Sequence, residues 1–192
     1  MQVLPTHDTT KHQVFVSFHN NDRAYREDFV VRYGDHFINK SVDFGDIDPD
    51  NKDAYIKRLI RENHISDASV IVALYGNETW KRKHVDWEIY AGLIEKAGGH
   101  SGLVVILLPT FPIDPAFNPH DEQTYHLLYP YLHPRTAANL KSGYASLYFW
   151  PGMYPHLPEA PVKDIFRQAF NKRVTENEKI DLSHPQYQYN RE

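Results

Sequence analysis

The chain has 192 residues, a formal net charge of −4, 41% hydrophobic and 14% aromatic residues, and no cysteine. This length and composition indicate one globular domain with a sizeable core. The charge points to no nucleic-acid or membrane partner, and the lack of cysteine excludes disulfides and a thiol nucleophile. The first residues lack the pattern of a signal peptide, and the longest apolar run, 103–108, is too short to span a bilayer. We therefore expect a soluble, cytoplasmic protein.

Short apolar runs alternate with segments of helical periodicity along most of the chain. After a loose N-terminus of residues 1–12, the pattern predicts strands at 14–18, 41–44, 69–76, 102–109 and 147–150. It predicts helices at 23–33, 53–65, 77–97 and 158–173. Such alternation is typical of an α/β fold of the flavodoxin-like, doubly wound type, with a parallel sheet of about five strands.

The segment 110–146 is rich in proline and aromatic residues and shows no steady period. We expect an elaborated loop segment there, with one short helix near 121–128, because loops of this length are often functional. The tail 174–192 is polar and is expected to fray. These features predict a single domain over 13–173, without internal repeats.

The helix predicted at 77–97 connects two strands, so its start lies at the edge of the sheet where ligands bind. At about 100° per residue, one stripe of the helix faces the sheet and consists of Val85, Ile89, Gly92 and Leu93. Glu88 lies at the border of this stripe, in a half-shielded position that suits a catalytic carboxylate. From the residues alone, an ordinary ion pair of Glu88 with Lys81 or Arg82 is the favoured interpretation.

A second apolar stripe lies nearly opposite the first and consists of Trp80, Trp87, Tyr90 and Ile94. A helix that is apolar on both sides must be covered on both sides. We favour cover by the aromatic segment 110–146. The alternative is another subunit, which would make a homo-oligomer through Trp80, Trp87 and Ile94.

Several chemistries lack support in the sequence. No phosphate-binding glycine loop and no G-x-S-x-G elbow is present, and the strand ending at Gly76 lacks the aspartate of a receiver domain. The acidic loop 46–50 has Asn51 and Lys57 where an EF-hand needs glycine and glutamate, so a solvated loop is favoured. His84 and Glu88 could share a metal ion, but no third ligand follows at a recognisable spacing. We expect no metal and no resident cofactor.

Six short pieces carry a resemblance to a known family. They are VFVSFH at 14–19, ND at 21–22, VDF at 42–44, IKRLIRE at 56–62, SVIVALYGNETW at 69–80 and VDWEI at 85–89. In this order and spacing, the chain resembles the TIR-like domain of the Thoeris anti-phage defence system. The resemblance covers 14–108 and continues more loosely through Pro134, Arg135, Asn139 and 143–145 to the closing helix.

The resemblance implies an enzyme that cleaves NAD, its substrate, at the nicotinamide–ribose bond. The product would be a cyclic ADP-ribose-like or ADP-ribose-conjugate signal that activates a separate effector, and a phage-derived trigger is a further expected partner. Glu88 matches the catalytic glutamate of the family. The resemblance places the substrate cleft at the loops after the first and second strands, and His84 is a further candidate for substrate binding. The cleft residues are Ser17, Phe18, His19, Asn20, Phe44, Gly45 and Asp46.

The residues agree with this chemistry. A carboxylate such as Glu88 can stabilise the oxocarbenium-like ribose that forms when the bond breaks. Phe18 could stack on the flat pyridinium ring, and the amides at helix N-termini could hold the pyrophosphate. Two alternatives stay open. One is a non-catalytic TIR interaction module, and the other is an enzyme similar to nucleoside deoxyribosyltransferases.

Overall fold

A parallel sheet forms the centre of the protein in our computed structural model, which describes residues 10–41, 65–154 and 160–192. Within these ranges the sheet has five strands in the order β2-β1-β3-β4-β5. They are β1 (His12–Ser17), β2 (Phe37–Asn39), β3 (Val70–Tyr75), β4 (Gly102–Leu107) and β5 (Ser146–Phe149). This architecture confirms the predicted α/β, flavodoxin-like fold.

Four α-helices of the described residues cover both faces of the sheet. They are α1 (Arg23–Tyr33), α2 (Lys83–Leu93), α3 (Pro134–Lys141) and α4 (Val162–Thr175). Residues of α2 and α3 share one core cluster with one face of the sheet, and residues of α1 and α4 share the other cluster with the opposite face. Every residue of β3 and β4 is buried, which explains why both strands are continuous apolar runs rather than alternating ones.

The strand order places a switch point of the sheet at β1. The strand β1 pairs with β2 on one side and with β3 on the other. The two strands that follow β1 in the sequence therefore lie on opposite sides of it. In open parallel sheets, ligands bind at the carboxyl end of such a switch point. Ser17, the last residue of β1, aligns with Ala73 of β3 and marks this edge.

The second strand differs in position from the prediction. It lies at Phe37–Asn39, whereas a strand was predicted at 41–44. Of that range, 42–44 lies outside the described residues, as does the helix predicted at 53–65 except for Ile65. The predicted loose N-terminus ends earlier than expected, because His12 already belongs to β1 and is buried. Residues 1–9 lie outside the described ranges.

The helix predicted at 77–97 is shorter than expected. A 3-10 turn at Thr79–Lys81 precedes it, Arg82 is extended, and α2 begins at Lys83. The helix ends at Leu93 because Ile94 is extended, with φ −69° and ψ 152°. The sheet-facing stripe is confirmed, since Val85, Ile89 and Leu93 are all buried.

Segment 110–146 contains more regular structure than predicted. The helix expected near 121–128 is present as a 3-10 helix at Glu122–Tyr131, and α3 follows it directly. The helix α3 was missed, although Pro134 at its first turn and Gly143 after its end, with φ 80°, are ordinary signals of a helix start and stop.

Among the described residues, each helix is too short or too polar to span a lipid bilayer.

The prediction of a frayed C-terminal tail is wrong. The helix α4 continues to Thr175, and residues 181–191, which we call the C-terminal strap, lie across α2 and α3. Tyr187 in the middle of the strap is buried. The strap stays in place because its backbone groups form hydrogen bonds with buried side chains of the two helices.

The second apolar stripe is covered from within the chain. The ring of Trp80 lies edge-on to Tyr131, in the 110–146 segment, at 6.2 Å between centroids. Trp87 is only 1% exposed, and its indole N–H donates to the carbonyl of Tyr187 in the strap at 2.8 Å. The favoured cover by segment 110–146 is therefore confirmed for Trp80, whereas the cover by the strap was not foreseen. The homo-oligomer through this stripe stays a prediction.

Candidate active site

A serine and a glutamate meet at the switch point of the sheet. The hydroxyl of Ser17, at the end of β1, donates a short hydrogen bond to Oε2 of Glu88 in the middle of α2. Both side chains are fully buried, with 0% exposure. The predicted half-shielded position of Glu88 is therefore wrong. The prediction considered α2 alone, whereas the folded protein buries the carboxylate against Ser17 of β1.

The favoured ion pair of Glu88 is also wrong. Lys81 and Arg82 instead approach Glu78, with Nζ 3.3 Å from Oε1 and Nη2 3.2 Å from Oε2. Glu78 sits before the first turn of the helix, where both basic side chains reach it from three and four residues away. Within the described part of the chain, the carboxylate of Glu88 is bound by a hydroxyl and by no cation.

Burial changes the acidity of Glu88. Removal from water raises its pKa from the ordinary value of 4.5 to about 8, and the hydrogen bond from Ser17 opposes this rise. The second oxygen, Oε1, is buried and has no hydrogen-bond partner among the described residues. A desolvated carboxylate with a free oxygen is a strong ligand for a developing positive charge, because no water or cation competes for it. Such groups cluster at functional sites.

A glycine brings α2 close to the sheet below Glu88. A Cβ atom built on Gly92 would lie 2.5 Å from Cγ1 of Ile71 in β3, closer than side chains approach. Gly92 and Ile89 belong to the same sheet-facing stripe, so the helix backbone lies directly on β3. This close packing sets the depth at which Glu88 meets Ser17.

The other residues predicted after β1 lie in different surroundings. Phe18 is buried in the core cluster of the opposite sheet face, with the guanidinium of Arg26 5.9 Å from its ring centroid. The pKa of His19 is lowered by burial and by nearby Arg82, and its Nε2 atom has no hydrogen-bond partner among the described residues. Asn20 is exposed and accepts hydrogen bonds from Arg23. Of these four predicted residues in the described part of the chain, Ser17 forms a hydrogen bond with Glu88. The binding roles of Phe18, His19 and Asn20 stay predictions.

The remaining predicted residues are on α2 and beyond β2. His84 is half-buried, and its ring lies edge-on to that of Trp87 at 5.1 Å between centroids. Its role in binding substrate stays a prediction. Phe44, Gly45 and Asp46 lie outside the described residues, as does the acidic loop to which Asp46 belongs.

Sequence reasoning missed a second buried carboxylate at the same edge of the sheet. Asp22, named above only as part of the family resemblance, lies at the start of α1 but makes no capping hydrogen bond with its side chain. It accepts hydrogen bonds from the hydroxyls of Thr79 at 3.1 Å and Thr110 at 3.4 Å, and a Cβ atom on Gly76 would lie 2.3 Å from it. Burial raises its pKa. The loops after β1, β3 and β4 thus converge on the side chain of Asp22. Its position in the connection between β1 and α1, at the edge of the sheet where ligands bind, could have marked it in the sequence.

Comparison with known proteins identifies the family. The model of the Thoeris protein ThsB, TIR-like domain, matches residues 15–111. The match runs from β1 to just beyond β4 and includes Ser17, Asp22 and Glu88, whereas α3, α4 and the C-terminal strap lie outside it. No curated protein matches the chain. Membership of this family supports a role in anti-phage defence. The chain belongs to the family of Thoeris ThsB proteins with a TIR-like domain.

Proposed function

We propose that this protein cleaves NAD at the nicotinamide–ribose bond and transfers the ADP-ribosyl group to make a signal in anti-phage defence. The signal, a cyclic ADP-ribose-like molecule or an ADP-ribose conjugate, then activates a separate effector. The observation that carries the proposal is the buried Glu88 carboxylate, bound by Ser17 at the switch point of the sheet. TIR-like domains often cleave NAD, and Glu88 is the residue that matches the family's catalytic glutamate.

The chemistry suits a carboxylate without a cationic partner. The bond between ribose C1′ and the pyridinium nitrogen breaks, and its electron pair leaves with nicotinamide as a neutral molecule. Positive charge develops on C1′ and the ring oxygen. The ionised carboxylate of Glu88 stabilises this charge through Oε1, which has no hydrogen-bond partner among the described residues. A nucleophile of the acceptor then bonds to C1′ and loses a proton. Because nicotinamide leaves without protonation, no strong general acid is needed.

The protonation state of Glu88 matters for this step. With a pKa of about 8, free Glu88 holds a proton near neutral pH and carries no charge to stabilise C1′. The fixed positive charge of the nicotinamide ring favours the ionised form once the substrate is close. Binding of NAD therefore releases a proton and creates the charge that the reaction uses.

Access to Glu88 requires movement. Both Ser17 and Glu88 are fully covered, so NAD reaches the carboxylate only after neighbouring groups shift. This cover is consistent with a protein that stays inactive until a phage-derived trigger acts on it. Exclusion of water from the same site would favour transfer to an acceptor over hydrolysis.

The test is incubation of the purified protein with NAD, with and without lysate of infected cells, followed by mass spectrometry of the products. We expect nicotinamide release by the wild type and its loss in Glu88→Gln. The matched control is Glu95→Gln, which removes an exposed carboxylate just after the same helix and keeps activity. Full activity of folded Glu88→Gln would refute the assignment of the catalytic residue. Cleavage of deoxynucleosides but not NAD would select the deoxyribosyltransferase-like alternative.

A further inference from the structure

The C-terminal strap is attached to the part of α2 that precedes Glu88. The N–H of Tyr187 donates to Oδ2 of Asp86 at 2.9 Å, and its carbonyl accepts from the indole of Trp87 at 2.8 Å. The N–H of Arg191 donates to the carbonyl of Lys81 at 2.9 Å. The strap thus bonds to the two residues immediately before Glu88 and to the turn that leads into the helix.

A buried ion pair supports the same contact. Nε of Arg135, in α3, lies 3.2 Å from Oδ1 of Asp86, and these side chains are 0% and 2% exposed. Nη2 of Arg135 donates to the carbonyl of His184 in the strap at 2.6 Å, and its guanidinium lies 4.7 Å from the ring centroid of Tyr90. Both oxygens of Asp86 are therefore used, one by α3 and one by the strap. Buried pairs of this kind fix geometry because loss of either partner leaves an uncompensated charge.

The strap also caps α2 from a distance. The residue at the N-cap position, Arg82, makes no capping hydrogen bond with its side chain. Instead, the side-chain oxygen of Asn190 accepts from the first-turn N–H of Lys83 at 3.0 Å. This is one of the backbone donors that a helix start leaves without an internal partner. A residue 107 positions later in the chain thus performs the role that a local serine or aspartate usually performs.

Helix geometry connects this attachment to the active site. Asp86 and Glu88 are two residues apart, so their side chains leave α2 in nearly opposite directions, about 200° apart. The strap and α3 hold one side of the helix while Glu88 meets Ser17 on the other. Rotation or translation of the first two turns would therefore carry Glu88 away from Ser17.

We propose that the C-terminal strap positions Glu88, with Asn190 and Tyr187 as positioning residues that hold α2 in the rotation at which its carboxylate meets Ser17. The catalytic part of this proposal rests on the function proposed above. The strap and α3 lie outside the residues that match the family model. The contacts that hold α2 therefore come from a part of the chain that the match does not cover.

The sharpest test compares three single substitutions in the strap. Asn190→Ala removes the acceptor for Lys83, Asn190→Asp keeps an acceptor there, and Tyr189→Ala changes a side chain that is 82% exposed. We expect kcat for nicotinamide release to fall about two- to five-fold in Asn190→Ala, because small displacements of a catalytic group reduce rate. Asn190→Asp and Tyr189→Ala should stay close to the wild type. KM should change less than kcat.

Two further measurements separate positioning from a merely structural role. Activity is therefore expressed per folded molecule, with the folded fraction measured at each pH. A purely structural role leaves the pH profile of this activity unchanged, whereas a displaced Glu88 shifts the pH at which it rises. Hydrogen exchange of the first-turn amides of α2 should accelerate about five-fold in Asn190→Ala, as expected when one helix cap is lost. If Asn190→Ala matches Tyr189→Ala in kcat, pH profile and exchange, the proposal is wrong.

A deletion of 187–192 is the stronger perturbation and should reduce kcat at least ten-fold, but it also uncovers Trp87 and risks unfolding. The point substitutions keep the test decisive if it does not fold. A wild-type protein that releases no nicotinamide under any condition would refute the proposed reaction instead. In that case the exchange comparison still decides whether the strap holds α2.

Discussion

Replacement of Glu88 by glutamine should change how the stability of the protein depends on pH. The pKa of the Glu88 carboxyl is 4.5 when the chain is unfolded, and burial raises this pKa to about 8 in the folded protein. Between these values the folded state holds a proton that the unfolded state has lost, so the free energy of unfolding decreases as pH rises. At about 1.4 kcal/mol per pH unit, the decrease sums to about 5 kcal/mol by pH 8. Glutamine does not ionise in this pH range, so the free energy of unfolding of Glu88→Gln lacks this decrease.

Replacement by glutamine also lowers the free energy of unfolding by an amount that does not depend on pH. Its oxygen can accept the hydrogen bond from Ser17, but its amide N–H groups would lie where Oε1 has no partner among the described residues. An unpartnered buried donor costs about 1–3 kcal/mol. We therefore expect Glu88→Gln to be less stable than the wild type near pH 5 by up to about 2 kcal/mol, because about 1 kcal/mol of the decrease in the wild type has already occurred there. Near pH 9 it should be more stable by about 2–4 kcal/mol.

Urea unfolding followed by tryptophan fluorescence, near pH 5, 7 and 9, measures both curves. The control is Glu95→Gln, which removes a carboxylate that water already solvates and should keep the pH dependence of the wild type. Parallel curves for Glu88→Gln and the wild type would refute the argument, because they would mean that folding does not change the ionisation of Glu88.

Three further predictions follow from the same site. The value of kcat/KM for nicotinamide release should rise with pH and level off above about 8, whereas kcat should level off at lower pH because bound NAD favours ionised Glu88. Ser17→Ala removes a hydrogen bond that lowers the pKa of Glu88, so the rise in kcat/KM should move to higher pH, as a pH–rate profile would show. Gly92→Ala should destabilise the protein by about 1–3 kcal/mol in urea unfolding, because its Cβ would collide with Ile71. Gly98→Ala, with nothing within 4 Å of the added carbon, is the control.

Local patterns predicted the fold well because the fold depends on them. The apolar runs of β3 and β4 and the stripe of Val85, Ile89 and Leu93 each follow from neighbouring residues, and the structure contains all of them. The position of Glu88 on α2 followed from the same periodicity. Its complete burial did not, because a helical wheel describes one helix, whereas burial depends on other parts of the fold such as Ser17 of β1.

The missed features depend on contacts between distant parts of the chain. The strap binds largely through backbone groups of Asp181, His184 and Tyr187, and backbone groups are the same in every residue. Its side chains are polar, so its composition is that of a solvated tail. The contact of Asp22 with Thr110 joins residues 88 positions apart, which no local pattern indicates.

The distant cap on α2 has a consequence for the order of events during synthesis. The contacts of Asp86, Trp87 and Lys83 with the strap join residues 100 to 107 positions apart. Such contacts form late, because a long loop must close before they contribute and the N-terminal part of a nascent chain emerges first. The sheet and the body of α2 can therefore assemble on the ribosome well before the first turn of α2 is fixed. If the strap positions Glu88 as proposed, a nascent chain that already contains Ser17 and Glu88 aligns them fully only after residues 187–191 have been made.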